Sequence, residues 1–224
     1  MRAIVFDFDG VIANSEPLHF RAFHDVLAAQ GIALREGDYY ERYLGYDDVG
    51  AFRAMGADHG VRWDIDHIAA LVDRKAERLE ALEREGGMLF PGAADAIGRA
   101  AAAVPIAIAS GALRAEIVRV LERAGLMGSF AAIVAAEDTP ASKPAPDPYQ
   151  RAVALLGDAT GLAIAPGECV AVEDSHWGLE SARAAGLRTV AVAQSYPAAA
   201  LASADLVIDT IAELDIARLR LLTL

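Results

Sequence analysis

Short apolar segments alternate with longer amphipathic ones along most of the chain, and this pattern predicts the fold. The first apolar segment, residues 2–6, is rich in β-branched residues and predicts a buried strand. Segments of the same kind recur only after residue 104. They predict strands at 105–109, 132–135, 169–172, 189–192 and, more weakly, 206–208. Between them, helical spacing predicts helices at 91–103, 114–125, 148–156 and 178–185. This alternation indicates a parallel sheet covered by helices on both faces.

A block without a convincing strand separates the first strand from the others. Apolar residues at helical spacing predict a first helix that Ser15 caps and that continues to Gly31. Further helices are predicted at 38–44, 47–59 and 64–85, the last ending in Gly86–Gly87. Because strand and helix alternate again only afterwards, this helical block is predicted to be an insertion into the sheet domain.

Polar residues follow the predicted strands, at the edge where the carboxyl ends of parallel strands meet and ligands bind. Asp7 and Asp9 come directly after the first strand, and alternate residues of an extended chain can face one site. Gly10 allows the backbone to turn where a side chain would obstruct that site. The later strands are followed by Ser110–Gly111, by Glu137–Asp138 with Ser142–Lys143, and by Glu173–Asp174–Ser175.

This set of residues suits metal-dependent phosphoryl transfer. Four acids at one edge (Asp7, Asp9, Glu173 and Asp174) would hold Mg²⁺. Lys143 and Ser110 supply a positive charge and a hydrogen-bond donor for an oxyanion such as phosphate. One carboxylate can attack phosphorus, and a second carboxylic acid two residues on can protonate the leaving oxygen. Taken singly, Ser110 is more consistent with a helix cap and Lys143 with an exposed loop, but the ordered appearance of the whole set after separate strands favours a site.

Composition and charge narrow the class of protein further. The 224 residues are 54% hydrophobic and carry a formal net charge of −12, which argues against nucleic acid as a partner. No apolar segment approaches the length of a membrane span, and the chain starts on a predicted strand rather than a signal peptide. We therefore expect a cytoplasmic protein without a membrane partner; a monomer is favoured, with the oligomeric state left open. Cys169, the single cysteine, is predicted to be a small buried hydrophobe.

Four motifs resemble those of the haloacid dehalogenase superfamily, in particular its phosphatases with a helical cap. They are DFDGV at 7–11, ASG at 109–111, SKPAPDPY at 142–149 and VEDSHWGLESARAAG at 172–186. The chain is most similar to the branch that contains β-phosphoglucomutase and phosphoglycolate phosphatase. The resemblance implies an α/β fold: a Rossmann-like parallel-sheet core of residues 1–14 and 89–224 with an inserted all-helical cap of residues 15–88.

The resemblance also implies roles for individual residues. Asp7 would be the nucleophile and Asp9 the general acid and base, while Ser110 and Lys143 would hold the phosphoryl group next to Gly111. Mg²⁺ would be bound by the Asp7 side chain, the Asp9 backbone carbonyl, Glu173 and Asp174. In the cap, His19 and Lys75 would bind substrate. For His19 a helix position that faces solvent or Asp9 is an equal alternative, and for Lys75 a solvated helix face is slightly favoured. Trp177 is predicted to pack, either at the mouth of the site or in the core.

The sequence is consistent with three functions, which it favours to different degrees. The first choice is a Mg²⁺-dependent phosphatase acting through an aspartyl phosphate on a small phosphorylated metabolite, such as a sugar phosphate or a compound like phosphoglycolate. A sugar phosphomutase of the β-phosphoglucomutase type is the main alternative, although that branch has an arginine where this chain has Asp48, beside Asp47. A binding protein without chemistry is disfavoured by the intact acid, hydroxyl and lysine set. Dehalogenation is disfavoured because dehalogenases lack the acid that Asp9 provides.

Overall fold

The computed structural model describes residues 1–43, 46, 48–86 and 88–224. By their internal contacts these residues form two compact units. The core unit comprises Met1–Asn14 and Leu89–Leu224, and the helical unit comprises Ser15–Met88. Within the described ranges, none of the helices combines the length and the apolar character that a membrane crossing requires.

The core unit is built on one parallel sheet of six strands, and the predicted Rossmann-like fold is confirmed. The strands are β1 (Ala3–Phe6), β2 (Ile106–Ala109), β3 (Ala132–Val134), β4 (Cys169–Glu173), β5 (Arg188–Val192) and β6 (Leu206–Ile208). Their order in the sheet is β3-β2-β1-β4-β5-β6, so the strand order reverses between β1 and β4. In such sheets a crevice opens beyond the carboxyl ends of the strands at that reversal. The residues that follow β1 and β4 therefore lie where a ligand site is expected.

Helices cover the sheet on both faces, as its apolar strands require. In chain order, the helices of both units are α1 (Glu16–Ala28), α2 (Glu36–Arg42), α3 (Asp48–Asp58), α4 (Ile65–Glu85), α5 (Ala93–Ala103), α6 (Arg114–Arg123), α7 (Asp147–Thr160), α8 (His176–Ala184) and α9 (Ile216–Leu221). All residues of β1 and β2 are buried. Side chains of β1, β2 and β4 pack with those of α7 and α8 in one apolar cluster. Cys169 is buried in this cluster, as predicted.

The helical unit contains α1 to α4, and its described residues include no strand. Aromatic and aliphatic side chains from these helices form an apolar core of their own, with Phe23 and Phe52 in edge-to-face contact. The helix α4 ends as predicted at Gly86, whose φ of 96° favours glycine. Two predicted helix ends, Leu44 and Asp47, lie outside the described residues, as does Gly87.

Several predicted element ends were wrong for identifiable local reasons. Ser15 occupies the N-cap of α1, but its backbone is helical and its side chain makes no capping hydrogen bond. The helix predicted from residue 91 begins at Ala93, because Gly92 takes a left-handed conformation just before it. The helix predicted to end at residue 156 continues to Thr160, where the left-handed Gly161 ends it. The short helix α9 was not predicted.

Candidate active site

Two adjacent strands bring three acids together. Asp7 follows β1, and its backbone N–H donates to the carbonyl of Val172 in β4 at 2.8 Å. Glu173 is the last residue of β4, and Asp174 comes next. All three side chains are buried, and each offers a carboxylate oxygen within 4.8 Å of the others. Such a group of buried carboxylates could hold a metal ion.

Lys143 lies among these acids and neutralises part of their charge. Its Nζ is 2.8 Å from Asp7 Oδ1 and 2.5 Å from Glu173 Oε1. Burial alone lowers the pKa of Lys143, but the charges of Asp7 and Glu173 outweigh burial, so the pKa is raised and the ammonium stays charged. The structure thus places Lys143 in direct contact with the acid that the sequence predicts as the nucleophile.

The site carries more negative charge than Lys143 balances, and it therefore fits a divalent cation. Burial raises the pKa of Asp7 well above its usual value, and the charge of Glu173 adds to this effect while Lys143 opposes it. Burial also raises the pKa of Asp174 to about 6, although a hydrogen bond from Ser195 acts in the opposite direction. A hard cation with oxygen ligands would compensate this excess charge, and carboxylates are the ligands that Mg²⁺ prefers.

Asp9 differs from the other three predicted acids. Phe8 is buried between Asp7 and Asp9, whereas Asp9 itself is exposed. The group of acids that could share a metal comprises Asp7, Glu173 and Asp174, and the Asp9 carboxylate does not belong to it. The structure therefore brings the carboxylates of three of the four predicted acids close together. The roles of the Asp9 backbone carbonyl in metal binding and of its side chain as acid and base stay predictions.

Gly10 leaves room for the acids, as the sequence predicts. Its φ of 75° is one that favours glycine, and a Cβ there would lie 1.8 Å from Asp174 Oδ2 and 2.7 Å from Ser195 Oγ. Gly178 in α8 has a similar function, because a Cβ there would lie 1.9 Å from the Glu173 carboxylate. Each glycine therefore leaves the space that one of the adjacent acids occupies, Asp174 for Gly10 and Glu173 for Gly178.

Ser110 lies directly after β2 and is buried. Its Oγ accepts a hydrogen bond from the backbone N–H of Ala112 at 3.0 Å, which fixes the turn that begins there. Gly111 is exposed, and a Cβ at this position would meet no atom within 4 Å. The turn itself therefore does not require glycine at 111. Phosphate binding by Ser110 and Gly111 stays a prediction.

Two residues after β5 support the site, and sequence reasoning missed both. Ser195 Oγ donates a hydrogen bond to Asp174 Oδ2. Gln194 Nε2 donates to the carbonyl of Gly10 at 2.9 Å, and its Oε1 accepts from the backbone N–H of Ile211 at 2.9 Å. The segment after β5 thus connects Gly10, in the turn after β1, with Asp174, which follows β4. The available signal was position alone, since both residues lie within three residues of the end of a predicted strand.

The two predicted residues of the helical unit, His19 and Lys75, are brought together. Lys75 Nζ lies 3.0 Å from His19 Nδ1, and it donates to both carboxylate oxygens of Asp48 at 2.8 and 3.0 Å. The Lys75 side chain is only 2% exposed and its ammonium lies 4.9 Å from the ring centre of Phe23. The solvated position favoured for Lys75 was therefore wrong. Trp177 is 61% exposed, so the core alternative for this residue was also wrong.

Comparison with known proteins identifies the family of the chain. A family model described as a haloacid dehalogenase-like hydrolase matches residues 1–186. The chain belongs to this family. Protein CbbY of Rhodobacter capsulatus is 34% identical over 212 residues, which cover 88% of this chain and 87% of CbbY. Hexitol phosphatase B of Escherichia coli strain K12 is 32% identical over 212 residues, covering 91% and 90% of the two chains.

A solved structure extends the likeness to the whole fold. The crystal structure of CbbY from Rhodobacter sphaeroides in complex with phosphate has a TM-score of 0.74 and 31% identity. It covers 97% of this chain and 98% of its own. The predictions of the family and of a phosphoric monoester hydrolase are both confirmed.

Proposed function

We propose that this enzyme hydrolyses a small sugar or polyol phosphate with Mg²⁺ through an aspartyl phosphate on Asp7. The supporting observation is the contact between Asp7 and Lys143 inside a cluster of buried acids. A buried carboxylate beside an ammonium and a metal can attack a phosphoryl group whose oxygens are neutralised by those cations. The substrate class rests on the relatives, since one is named a hexitol phosphatase and another binds phosphate in its crystal.

The reaction divides into two transfers at the same carboxylate. The Asp7 oxygen forms a bond to phosphorus while the bond from phosphorus to the sugar oxygen breaks, and the carboxyl group of Asp9 gives its proton to that oxygen. Water then attacks the aspartyl phosphate, and Asp9 takes the proton of the water. Inorganic phosphate leaves, and the Asp7 carboxylate is restored. Lys143 and Ser110 hold the transferring oxygens, with Asp7, Glu173, Asp174 and the Asp9 carbonyl as the proposed Mg²⁺ ligands. When bound, Mg²⁺ neutralises the charge that develops on the phosphoryl oxygens.

The helical unit is proposed to act as the cap of this enzyme. In that role it would exclude water during the first transfer and open for substrate and product. His19 and Lys75 are its proposed substrate-binding residues, and their contact at 3.0 Å supports a joint role.

Hydrolysis is favoured over the mutase reaction by the partner of Lys75. A mutase must bind a second phosphate, for which the resembling branch has an arginine at the position of Asp48. Here Asp48 is acidic and accepts two hydrogen bonds from Lys75, so the charge of the Lys75 ammonium is already neutralised. A carboxylate would repel a phosphate dianion that a guanidinium would bind in bidentate fashion. The neighbouring Asp47 lies outside the described residues.

A panel of phosphorylated hexitols, hexoses, pentoses and short acids, with Mg²⁺ present, tests the proposal by the phosphate that is released. We expect turnover of at least one sugar or polyol phosphate, loss of that turnover with EDTA, and recovery with added Mg²⁺. β-Glucose 1-phosphate with a bisphosphate primer belongs in the same panel, and we expect little or no glucose 6-phosphate from it. Turnover that persists in EDTA would contradict the metal requirement. Efficient formation of glucose 6-phosphate would establish the mutase instead.

A further inference from the structure

Tyr149 lies in the first turn of α7, and its ring is fully buried beneath the site. The ring belongs to the apolar cluster that joins α7 to β1, β2 and β4. Its hydroxyl group points out of this apolar cluster and donates a hydrogen bond of 2.6 Å to Glu173 Oε1. A phenol that is fixed by close packing around its ring can hold a partner in only one position.

The Glu173 carboxylate accepts hydrogen bonds on both of its oxygens. Glu173 is fully buried, so water does not solvate it from outside. Oε1 accepts from Tyr149 and from Lys143, while Oε2 accepts from the backbone N–H of Asp174 and the hydroxyl of Ser175, both at 3.3 Å. Oε1 therefore makes the two shorter contacts, one with Tyr149 and one with Lys143.

Tyr149 contacts Lys143 in a second way, through its ring. The Lys143 ammonium lies 5.2 Å from the ring centre, which is within the range of a cation–π interaction. The same ammonium lies 2.8 Å from Asp7 Oδ1. The ring of Tyr149 thus lies against the Lys143 ammonium, and its hydroxyl contacts the Glu173 carboxylate, which shares this lysine with Asp7.

We propose that Tyr149 is a positioning residue of the active site. Its hydroxyl orients the Glu173 carboxylate, and this carboxylate holds the Lys143 ammonium against Asp7. The proposal rests on the proposed function, in which Lys143 binds the transferring phosphoryl group. Tyr149 itself is not assigned a contact with substrate. Removing the hydroxyl leaves Oε1 with Lys143 as its one short contact, so lysine and carboxylate can rotate together away from Asp7.

The substitution Tyr149→Phe tests the proposal, because it removes the hydroxyl and keeps the ring over Lys143. Partners that orient the groups of a metal site typically contribute about ten- to hundredfold to affinity or activity. We expect the Kd of orthophosphate in the presence of Mg²⁺, measured by calorimetry, to rise by about that factor. KM should rise and kcat should fall together, because Lys143 contacts the phosphoryl group throughout the reaction.

Tyr43→Phe provides a matched control in the helical unit. The Tyr43 hydroxyl donates to Asp58 Oδ2 at 2.6 Å, Arg42 pairs with the same carboxylate, and the Arg42 guanidinium lies 5.3 Å from the Tyr43 ring centre. This variant removes the same kind of hydrogen bond from the same kind of cluster at a place without proposed metal ligands. Its phosphate affinity and its kinetic constants should match those of the wild type.

A crystal structure of Tyr149→Phe separates this proposal from the proposed function. We expect the Lys143 ammonium to have lost its contact with Asp7. If that contact is kept and phosphate affinity is unchanged, Tyr149 has no positioning role, whatever the enzyme hydrolyses. If the variant loses thermal stability but not phosphate affinity, Tyr149 serves the core alone and the proposal is wrong. A wild type that neither binds phosphate nor hydrolyses any phosphate ester would instead contradict the proposed function, and the crystal structure would still decide the position of Lys143.

Discussion

Replacing Asp7 with asparagine is expected to lower phosphate release by about three or more orders of magnitude, as for other deleted nucleophiles. The amide keeps the shape of the carboxyl group but cannot form the aspartyl phosphate. The fold should survive, because burial and the charge of Glu173 raise the pKa of Asp7 and so oppose its ionised form. Without Mg²⁺ at neutral pH, the melting temperature of Asp7→Asn should therefore equal or exceed that of the wild type.

Asp25→Asn is a suitable control for this variant. Asp25 pairs with Arg78 at 2.7 Å on the partly exposed surface of the helical unit, so the same chemical change occurs away from the proposed site. Its turnover should match the wild type within about twofold, since partly exposed ion pairs contribute little. Phosphate release by Asp7→Asn at a rate close to the wild type would show that another group attacks phosphorus.

Gly178→Ala is expected to have the second largest effect, although alanine is the better helix former. The added Cβ would lie 1.9 Å from the Glu173 carboxylate, which is fully buried and cannot move into solvent. Overpacking of this kind typically destabilises a protein by about 1–3 kcal/mol. The displaced carboxylate would also release Lys143, so we expect thermal stability and phosphate release to fall together.

Gly98→Ala makes the same change where the structure has room. Gly98 is an exposed residue inside α5, and a Cβ there would meet no atom within 4 Å. This substitution should stabilise the protein by about 0.5–1 kcal/mol through helix propensity and leave turnover unchanged. If thermal unfolding and phosphate release of Gly178→Ala resemble those of Gly98→Ala, then the tight space at Gly178 has no role in the site.

The sequence predicted the sheet and the principal acids because both depend on short-range patterns. Each strand is an apolar segment of its own, and parallel strands present their carboxyl ends at one edge. Asp7 follows β1 and Glu173 ends the adjacent β4, so the meeting of these two acids follows from topology. Lys143 lies in the long segment between β3 and α7, and its approach to the acids depends on the path of that segment. The exposure of Asp9 was not foreseen, because β1 ends at Phe6 and the alternation of an extended chain does not continue beyond it.

Contacts between distant side chains could not be predicted in the same way. Tyr149 reaches Glu173 through the packing of α7 against the sheet, and no spacing in the sequence encodes that approach. Ser195 meets Asp174 across the loop after β5. Lys75 lies on a helix rich in charges, which favours an exposed position, and its burial depends on the partner Asp48 from another helix.

Capture of the covalent intermediate tests the central claim most directly. A substrate from the panel, labelled at phosphorus, is mixed with an excess of enzyme and Mg²⁺, the reaction is quenched in acid within one turnover, and the peptides are mapped by mass spectrometry. We expect the label on Asp7, its release by hydroxylamine as for an acyl phosphate, and no label on Asp7→Asn. Label on a different residue, or phosphate released without any labelled protein within one turnover, would contradict nucleophilic attack by Asp7.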